Sequence, residues 1–249
     1  MSRSLTGFLV FCLLLGAAAA AVVWYVGPTL AGIVIDTERR ERPYYLLALL
    51  PESATRAAAG ERSYRARFAS LAAEEGGAPV WLGEQAQPVE GTHVLDVAAA
   101  QLIEFDSGGS LVQLLTSSAY RDLRGAADAP RTRLLGTAVQ PAQVTAGSAA
   151  VLVLYEHDVD AAEDAPLGAP GEAGWLKLVP RYGGALRWQA DVDGIRDAAG
   201  WNRLLLIEFA NAADARGWLD DAETMTERAI AGQYVDELAV LVLQPSGGR

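Results

Sequence analysis

The chain has 249 residues, of which 51% are hydrophobic, so it can bury one large core or two smaller ones. Its 31 acidic and 20 basic residues give a formal net charge of −11. This balance disfavours nucleic-acid binding, which depends on Lys and Arg side chains that neutralise phosphates. The single cysteine, Cys12, lies near the N-terminus. The rest of the chain therefore has no disulfide, no thiolate metal site and no cysteine nucleophile.

The N-terminal region contains an apolar run, Leu5 to Val26, of 22 residues without a charge. As a helix it would extend roughly 33 Å, enough to cross a hydrocarbon core of about 30 Å. A cleaved signal peptide is the alternative, but its apolar region is usually only about 7–15 residues. We therefore predict that residues 1–35 form a single-pass anchor in a bacterial inner membrane, with the lipid bilayer as a partner. The flanking basic residues slightly favour a cytoplasmic C-terminal part. The short N-terminal tail favours a periplasmic C-terminal part, with a cytoplasmic one as the alternative.

Two halves of the remaining chain share a pattern. The tetrapeptide Leu-Ile-Glu-Phe occurs at Leu102–Phe105 and again at Leu206–Phe209, 104 residues later. The motif Gly-Gly-Ala-x-x-Trp ends at Trp81 in one half and at Trp188 in the other. We interpret this as an internal duplication. It divides the chain into a charged linker (36–43), a first module (44–141), a second linker (142–148), a second module (149–245) and a tail (246–249).

The elements of the first half follow from local patterns. Continuous apolar runs bounded by turn residues predict strands, and apolar residues at helical spacing predict helices. Ser53 is a candidate N-cap, and a Gly pair ends the helix that follows it. In chain order we expect a strand at Tyr44–Leu50, a helix from Ser53 to Gly76, strands at Val80–Gln87 and Val94–Phe105, a helix at Leu111–Leu123, and a strand at Arg133–Val139.

The second half repeats the order. We expect a strand at Ala150–Tyr155, a Pro-interrupted helical region ending near Pro180, strands at Ala185–Asp191 and Arg203–Phe209, a helix at Ala213–Ile230, and a strand at Glu237–Leu243. The order β-α-β-β-α-β is that of the ferredoxin-like unit. Because the Glu-bearing strands are apolar on both faces, both faces should be covered. We therefore predict an α+β fold in which two modules pack sheet-to-sheet, as an intramolecular dimeric α/β barrel.

The second half reads Tyr182-Gly183-Gly184, then Ile207-Glu208-Phe209 and Trp218. This pattern resembles the small bacterial family known as domain of unknown function thirteen-thirty, which belongs to the dimeric α/β-barrel superfamily. The first half departs from it at Glu75, where the family has Tyr, and the second half lacks the family's Ser-x-x-Tyr motif. The resemblance implies a fold and no established activity, although the superfamily includes cofactor-free monooxygenases and haem-handling enzymes. The matching residues of the first half are Ile103, Glu104, Phe105, Ser117 and Tyr120.

The repeated acids, Glu104 and Glu208, are the candidate catalytic residues. A carboxylate on a covered strand is costly to bury unless it is paired, and an unpaired one could act as a general base. The alternative, which we favour, is a structural glutamate that is paired with Arg187 or Arg203, or hydrogen-bonded to a tryptophan N–H.

Four aromatic residues are pocket candidates: Trp81, Tyr120, Trp188 and Tyr182. The two tryptophans could line a cavity in each module, but core packing against the first helix of each module is the simpler interpretation. We expect no metal and no cofactor. The two histidines, His93 and His157, are unrelated by the repeat, and the acidic segment after His157 lacks the glycine of a calcium loop.

No nucleotide-binding, serine-hydrolase or zinc-protease motif is present. The sequence therefore favours a membrane-anchored, non-catalytic protein that binds a small molecule or a protein partner. The alternative is a cofactor-free, monooxygenase-like enzyme with a pocket between the sheet and the helices of one module. A polar-lined space at that position would favour the enzyme, and a filled apolar core would disfavour it.

Overall fold

The computed structural model describes residues 41–56, 63–126, 129–145, 147–157, 172–198, 200–231 and 235–245. The predicted anchor at residues 5–26 and the acidic segment at residues 158–164 lie outside this part of the chain. The membrane span therefore stays a prediction. Among the described residues, no helix has both the length and the hydrophobicity needed to cross a bilayer.

Nine strands in the described residues form the sheet, and the strands with continuous apolar sequences are buried along most of their length. The first strand is buried at every position, as its continuous apolar run predicts. In chain order the strands are β1 (Tyr44–Pro51), β2 (Gly77–Glu90), β3 (Val97–Phe105), β4 (Arg133–Thr137), β5 (Ala149–His157), β6 (Ala185–Asp191), β7 (Asp193–Arg196), β8 (Arg203–Phe209) and β9 (Val235–Pro245).

Seven α-helices in the described residues connect these strands. They are α1 (Glu52–Thr55), α2 (Tyr64–Glu74), α3 (Gly108–Thr116), α4 (Ser118–Gly125), α5 (Glu172–Leu176), α6 (Ala212–Asp220) and α7 (Ala222–Ala231). Two short 3-10 turns lie at Thr92–Val94 and Val179–Tyr182.

The structure differs from the prediction at three helices. Two of these helices are interrupted, and a side-chain cap explains each interruption. Ser53 lies inside α1, which begins at Glu52, and the N-cap of α2 is Ser63. The helix predicted at Leu111–Leu123 breaks at Ser117, whose hydroxyl accepts the N–H of Tyr120 at 3.1 Å. The helix predicted at Ala213–Ile230 breaks at Asp221, which caps α7 in the same way. Such side chains compete with the helical backbone for N–H donors, while the hydrophobic spacing continues across the break.

Both halves have the predicted order of elements and the same sheet topology. The strand order is β2-β3-β1-β4 in the first half and β6-β8-β5-β9 in the second. Every neighbouring pair is antiparallel. This is the order of a ferredoxin-like unit, so the fold is α+β.

The two four-stranded sheets join through their edges, which the sequence did not predict. The second part of β2 pairs with β9, and β7, which continues β6 beyond Val192, pairs with β4. At this second seam the hydroxyl of Tyr44 donates to Asp193 at 2.8 Å. The long β2 turns between the two sheets at Gln85, which has a left-handed φ of 49°. The result is one nine-stranded sheet, curled into a nearly closed barrel.

The barrel interior is a core shared by both halves. Alternate residues of each strand face it, including Leu47 and Leu102 from the first half and Leu152 and Leu206 from the second. The intervening residues face the helices outside the barrel. Because each strand is covered on both sides, its side chains are apolar on both faces.

Candidate functional site

The repeated glutamates lie at the same end of the barrel. Four antiparallel pairings connect β5 to β1 through β9, β2 and β3, so β1 and β5 run in the same direction. Glu104 lies opposite Tyr45 near the start of β1, and Glu208 lies opposite Ala150 near the start of β5. Both glutamates share the barrel-facing side of their strands with leucines of the core. The two carboxylates therefore lie at one mouth of the barrel.

Glu208 is 6% exposed and fully engaged in hydrogen bonds. It accepts the backbone N–H of Thr145 at 2.9 Å and forms an ion pair with Arg187, one of the partners named from the sequence. Burial raises its pKa, but hydrogen bonds from Thr145, Ser148 and Arg187 outweigh burial and lower the pKa to about 2. A carboxylate that is this weak a base is a poor general base near neutral pH. Its evident role is to hold the linker between the modules against β8.

A β-bulge lies in the strand beside each glutamate. The register of β6 with β8 shifts between Leu186 and Trp188, so Arg187 is the extra residue. The register of β2 with β3 shifts at the matching place, where the extra residue is Val80. Bulges re-aim a side chain, and only the second one carries a cation to its glutamate.

Glu104 has a neutral partner instead of an arginine. The phenol of Tyr45 donates to Glu104 Oε1 at 2.9 Å. Burial of Tyr45, together with the hydrogen bond and the charge of Glu104, raises the pKa of the phenol to about 12. Tyr45 therefore stays protonated near neutral pH and is a poor proton donor to a substrate.

Trp188 and Trp81 pack on the barrel side of their strands, so the expectation that they pack against helices is wrong. Trp188 is 3% exposed, and its indole N–H donates to the carbonyl of Val139 at 2.9 Å. Its ring meets Tyr45 edge-on, with 6.5 Å between ring centroids. Trp81 packs against the same core and is partly buried. The bulge just before each tryptophan turns its side chain inward.

Tyr182 lies outside the barrel. Its hydroxyl donates to Asp221 Oδ2 at 2.6 Å, which ties the 3-10 turn to the break between α6 and α7. Arg203, the other partner named for Glu208, instead pairs with Asp191 at 2.6 Å.

A polar residue that the sequence analysis missed lies between the first sheet and its helices. Gln101 is 5% exposed, and its carboxamide oxygen has no hydrogen-bond partner among the described residues. It lies on the helix-facing side of β3, opposite Ala48 of β1. Ala48 lies opposite Leu134, which in turn lies opposite Arg196. These four residues form one row across the sheet, which we call the Gln101 row.

Buried phenols lie over the far end of the Gln101 row. Arg196 donates to the hydroxyl of Tyr120, which is 2% exposed, at 3.3 Å. Burial is the main cause that raises the pKa of Tyr120, although Arg196 acts in the opposite direction. Tyr64 meets Thr132 at 3.5 Å, and Phe68 lies between the two phenols, with centroid distances of 6.2 and 5.9 Å.

The equivalent layer of the second module is filled by apolar side chains. Leu205, 104 residues after Gln101, lies opposite Val153, which lies opposite Val240. Trp175 stacks on Trp218 above this sheet, with centroids 5.6 Å apart. Buried side-chain atoms on Trp175, Trp201, Thr224 and Arg228 also lack hydrogen-bond partners among the described residues. Comparison of the two halves at the repeat offset would have singled out Gln101 from sequence alone.

The described residues contain no group of three or more side chains that could hold a metal ion. His93 contacts Glu237, near the beginning of β9, at 3.1 Å on the surface. The side chain of His157 lies outside the described residues.

No protein-family model and no curated protein matches the chain. The resemblance to the family of unknown function therefore has no support from a family model. Similar solved structures include an anthrone oxidase-like protein, which is 15% identical and has a TM-score of 0.49, with 84% of this chain and 93% of that one covered. A candidate monooxygenase of Lactobacillus acidophilus NCFM is 13% identical with a TM-score of 0.42, covering 82% and 93%. A variant chlorite dismutase of Candidatus Nitrospira defluvii is 9% identical with a TM-score of 0.44, covering 82% and 92%. At these values the similarity assigns no activity.

Proposed function

We propose that the chain is a small-molecule-binding barrel whose ligand lies over the Gln101 row of the first module. The observation that carries this proposal is the buried carboxamide oxygen of Gln101 without a partner. Such a group costs about 1–3 kcal/mol. A ligand that donates a hydrogen bond to it would remove that cost.

The surroundings of Gln101 define the ligand class. Next to it Ala48 has a small side chain where the second module has Val153. Phe68 and Tyr120 provide aromatic surfaces, and the hydroxyl of Tyr120 is a second polar group. A mostly apolar site with a few convergent polar groups is typical of small-molecule pockets. We expect a flat, hydroxyl-bearing molecule.

The test is native mass spectrometry of the unit Thr37–Arg249, followed by release and identification of any bound compound. The wild type should retain a small molecule, and Gln101→Leu should lose it. The volume-conserving variant Leu205→Met at the equivalent position of the second module is the matched control and should leave retention unchanged. Equal retention in the wild type and in Gln101→Leu would exclude the Gln101 row as the site.

A second candidate function is cofactor-free oxidation of such a ligand. The observation that favours it is the pair of buried phenols, Tyr64 and Tyr120, beside a polar sheet position. Glu104 and Glu208 lie on the other side of the sheet and would take no part. Anthrone, the compound in the name of one structural neighbour, is a suitable probe. Its oxidation consumes one O2 and yields the quinone and water, so an oxygen electrode reports the reaction. Uptake that persists in Gln101→Leu would exclude this site as its source.

We also propose that residues 5–26 hold the barrel at the periplasmic face of the inner membrane. A cysteine at Leu95, which is 69% exposed, provides the test in a chain whose Cys12 is replaced by serine. A membrane-impermeant maleimide should label it in intact spheroplasts. Labelling only after lysis would place the barrel in the cytoplasm, and recovery without detergent would exclude the anchor.

A further inference from the structure

We propose that the cleft beside Glu208 is a second binding site, which takes a small carboxylate on the outer end of Arg187. The cleft has a volume of about 370 Å³. The linker residues Thr145 and Ser148 form one side, and the ends of β6 and β8 form the other. It lies at the mouth of the barrel and is separate from the Gln101 row, so the two proposals stand independently.

Arg187 is held in place before any ligand arrives. Its Nε–H donates to Glu208, which the backbone of Thr145 fixes in turn at 2.9 Å. The arginine side chain is nevertheless 34% exposed, whereas that of Glu208 is 7% exposed. The terminal nitrogens of the guanidinium have no partner among the described residues, and Arg187 lines the cleft. An oriented guanidinium loses little conformational freedom on binding.

A structural role for the ion pair does not require this exposed end. The first module satisfies the equivalent Glu104 with the neutral hydroxyl of Tyr45 and has Val80 at the bulge. The second module instead exposes a cation at the same bulge. The guanidinium at the barrel mouth therefore has an exposed end that its ion pair with Glu208 does not use.

The chemistry of the cleft favours a monoanionic carboxylate. The free end of a guanidinium offers parallel N–H donors that match the two oxygens of a carboxylate. The fixed charge of Glu208 and the net charge of −11 oppose a phosphate dianion. Ala185 and Ala210 contribute small side chains, and a Cβ at Gly183 would meet no atom within 4 Å. The cleft therefore has room for an apolar group attached to the carboxylate.

The experiment compares benzoate with benzamide, a neutral molecule of the same shape, by calorimetric titration of the full-length chain in a mild detergent. Benzoate is titrated to roughly 10 mM, which would occupy even a site with a Kd of 1 mM. The wild type should bind benzoate at least tenfold more tightly than benzamide. Arg187→Lys should weaken benzoate binding, because an ammonium lacks the fork.

Loss of Arg187 alone leaves Glu208 without its cation, so the decisive variant is Arg187→Gln combined with Glu208→Gln. This pair can hydrogen-bond without charge and keep the linker in place. It should not bind benzoate, whereas Arg67→Gln, which removes an exposed charge from α2, should bind it like the wild type. Unchanged benzoate binding in the double variant, equal affinity for benzamide, or no binding by the wild type would each overturn the proposal.

Discussion

The substitution Gln101→Leu tests whether Gln101, which we propose to bind the ligand, lowers the stability of the unliganded fold. The carboxamide oxygen of Gln101 is buried without a partner among the described residues, and the equivalent Leu205 is fully buried in an apolar layer. Leucine and glutamine have similar volumes, so the change should leave no large cavity. Removal of the unpaired acceptor should therefore raise the free energy of unfolding by about 1–3 kcal/mol.

The assay is urea and thermal unfolding of the unit Thr37–Arg249, refolded from denaturant to remove bound small molecules. For a protein of this size each kcal/mol raises the Tm by roughly 2–4 °C. The reciprocal Leu205→Gln places the same carboxamide in the second module. There it should lower the free energy of unfolding by roughly 2–5 kcal/mol, because it buries a polar group without a partner and removes apolar contact.

A destabilised Gln101→Leu would refute the reasoning, since it would mean that the carboxamide makes interactions that stabilise the unliganded fold. Gln101→Leu could also gain stability and still contain the same amount of bound small molecule. That result would show that Gln101 lowers the stability of the fold but does not bind the ligand. In that case the position would be a structural defect and not a binding residue.

Three further predictions concern the barrel mouth and its seam. Glu208→Gln should lower the free energy of unfolding at pH 7 by roughly 2–3 kcal/mol. The folded-state pKa is lowered from 4.5 to about 2, so the wild-type advantage should be complete above pH 4.5 and disappear as the pH falls towards 2 in urea titrations. Tyr45→Phe should remove one phenol that ionises near pH 12 in ultraviolet titration. The stability that Tyr45 contributes should be complete below pH 10 and should be lost as the pH rises towards 12. Gly136→Ala should cost about 1–3 kcal/mol in thermal unfolding, because its Cβ would lie 2.5 Å from the ring of Tyr44, whereas Gly125→Ala, with open space, should be neutral.

The sequence by itself determined the modules and their order. The strand that contains Glu208 is apolar on both faces, and a strand with that pattern must be covered on both sides. The repeat spacing then predicts two units with the same succession of strands and helices. These inferences succeed because strand alternation and helical spacing are properties of neighbouring residues. The helix breaks at Ser117 and Asp221 are also local, and the cap residues were visible in the sequence.

Only the tertiary structure decided what each candidate residue does. The pairing of β7 with β4 joins residues from different modules and carries Arg196 to Tyr120. The partners of Glu208 also come from elsewhere in the chain, namely the linker and the bulge in β6. The carboxamide oxygen of Gln101 lacks a hydrogen-bond partner among the described residues because of how the surrounding elements pack. A hydrogen bond between distant segments depends on which sheet edges meet. The hydrophobic pattern of a sequence indicates that an edge must be covered, but it does not specify which residues cover it.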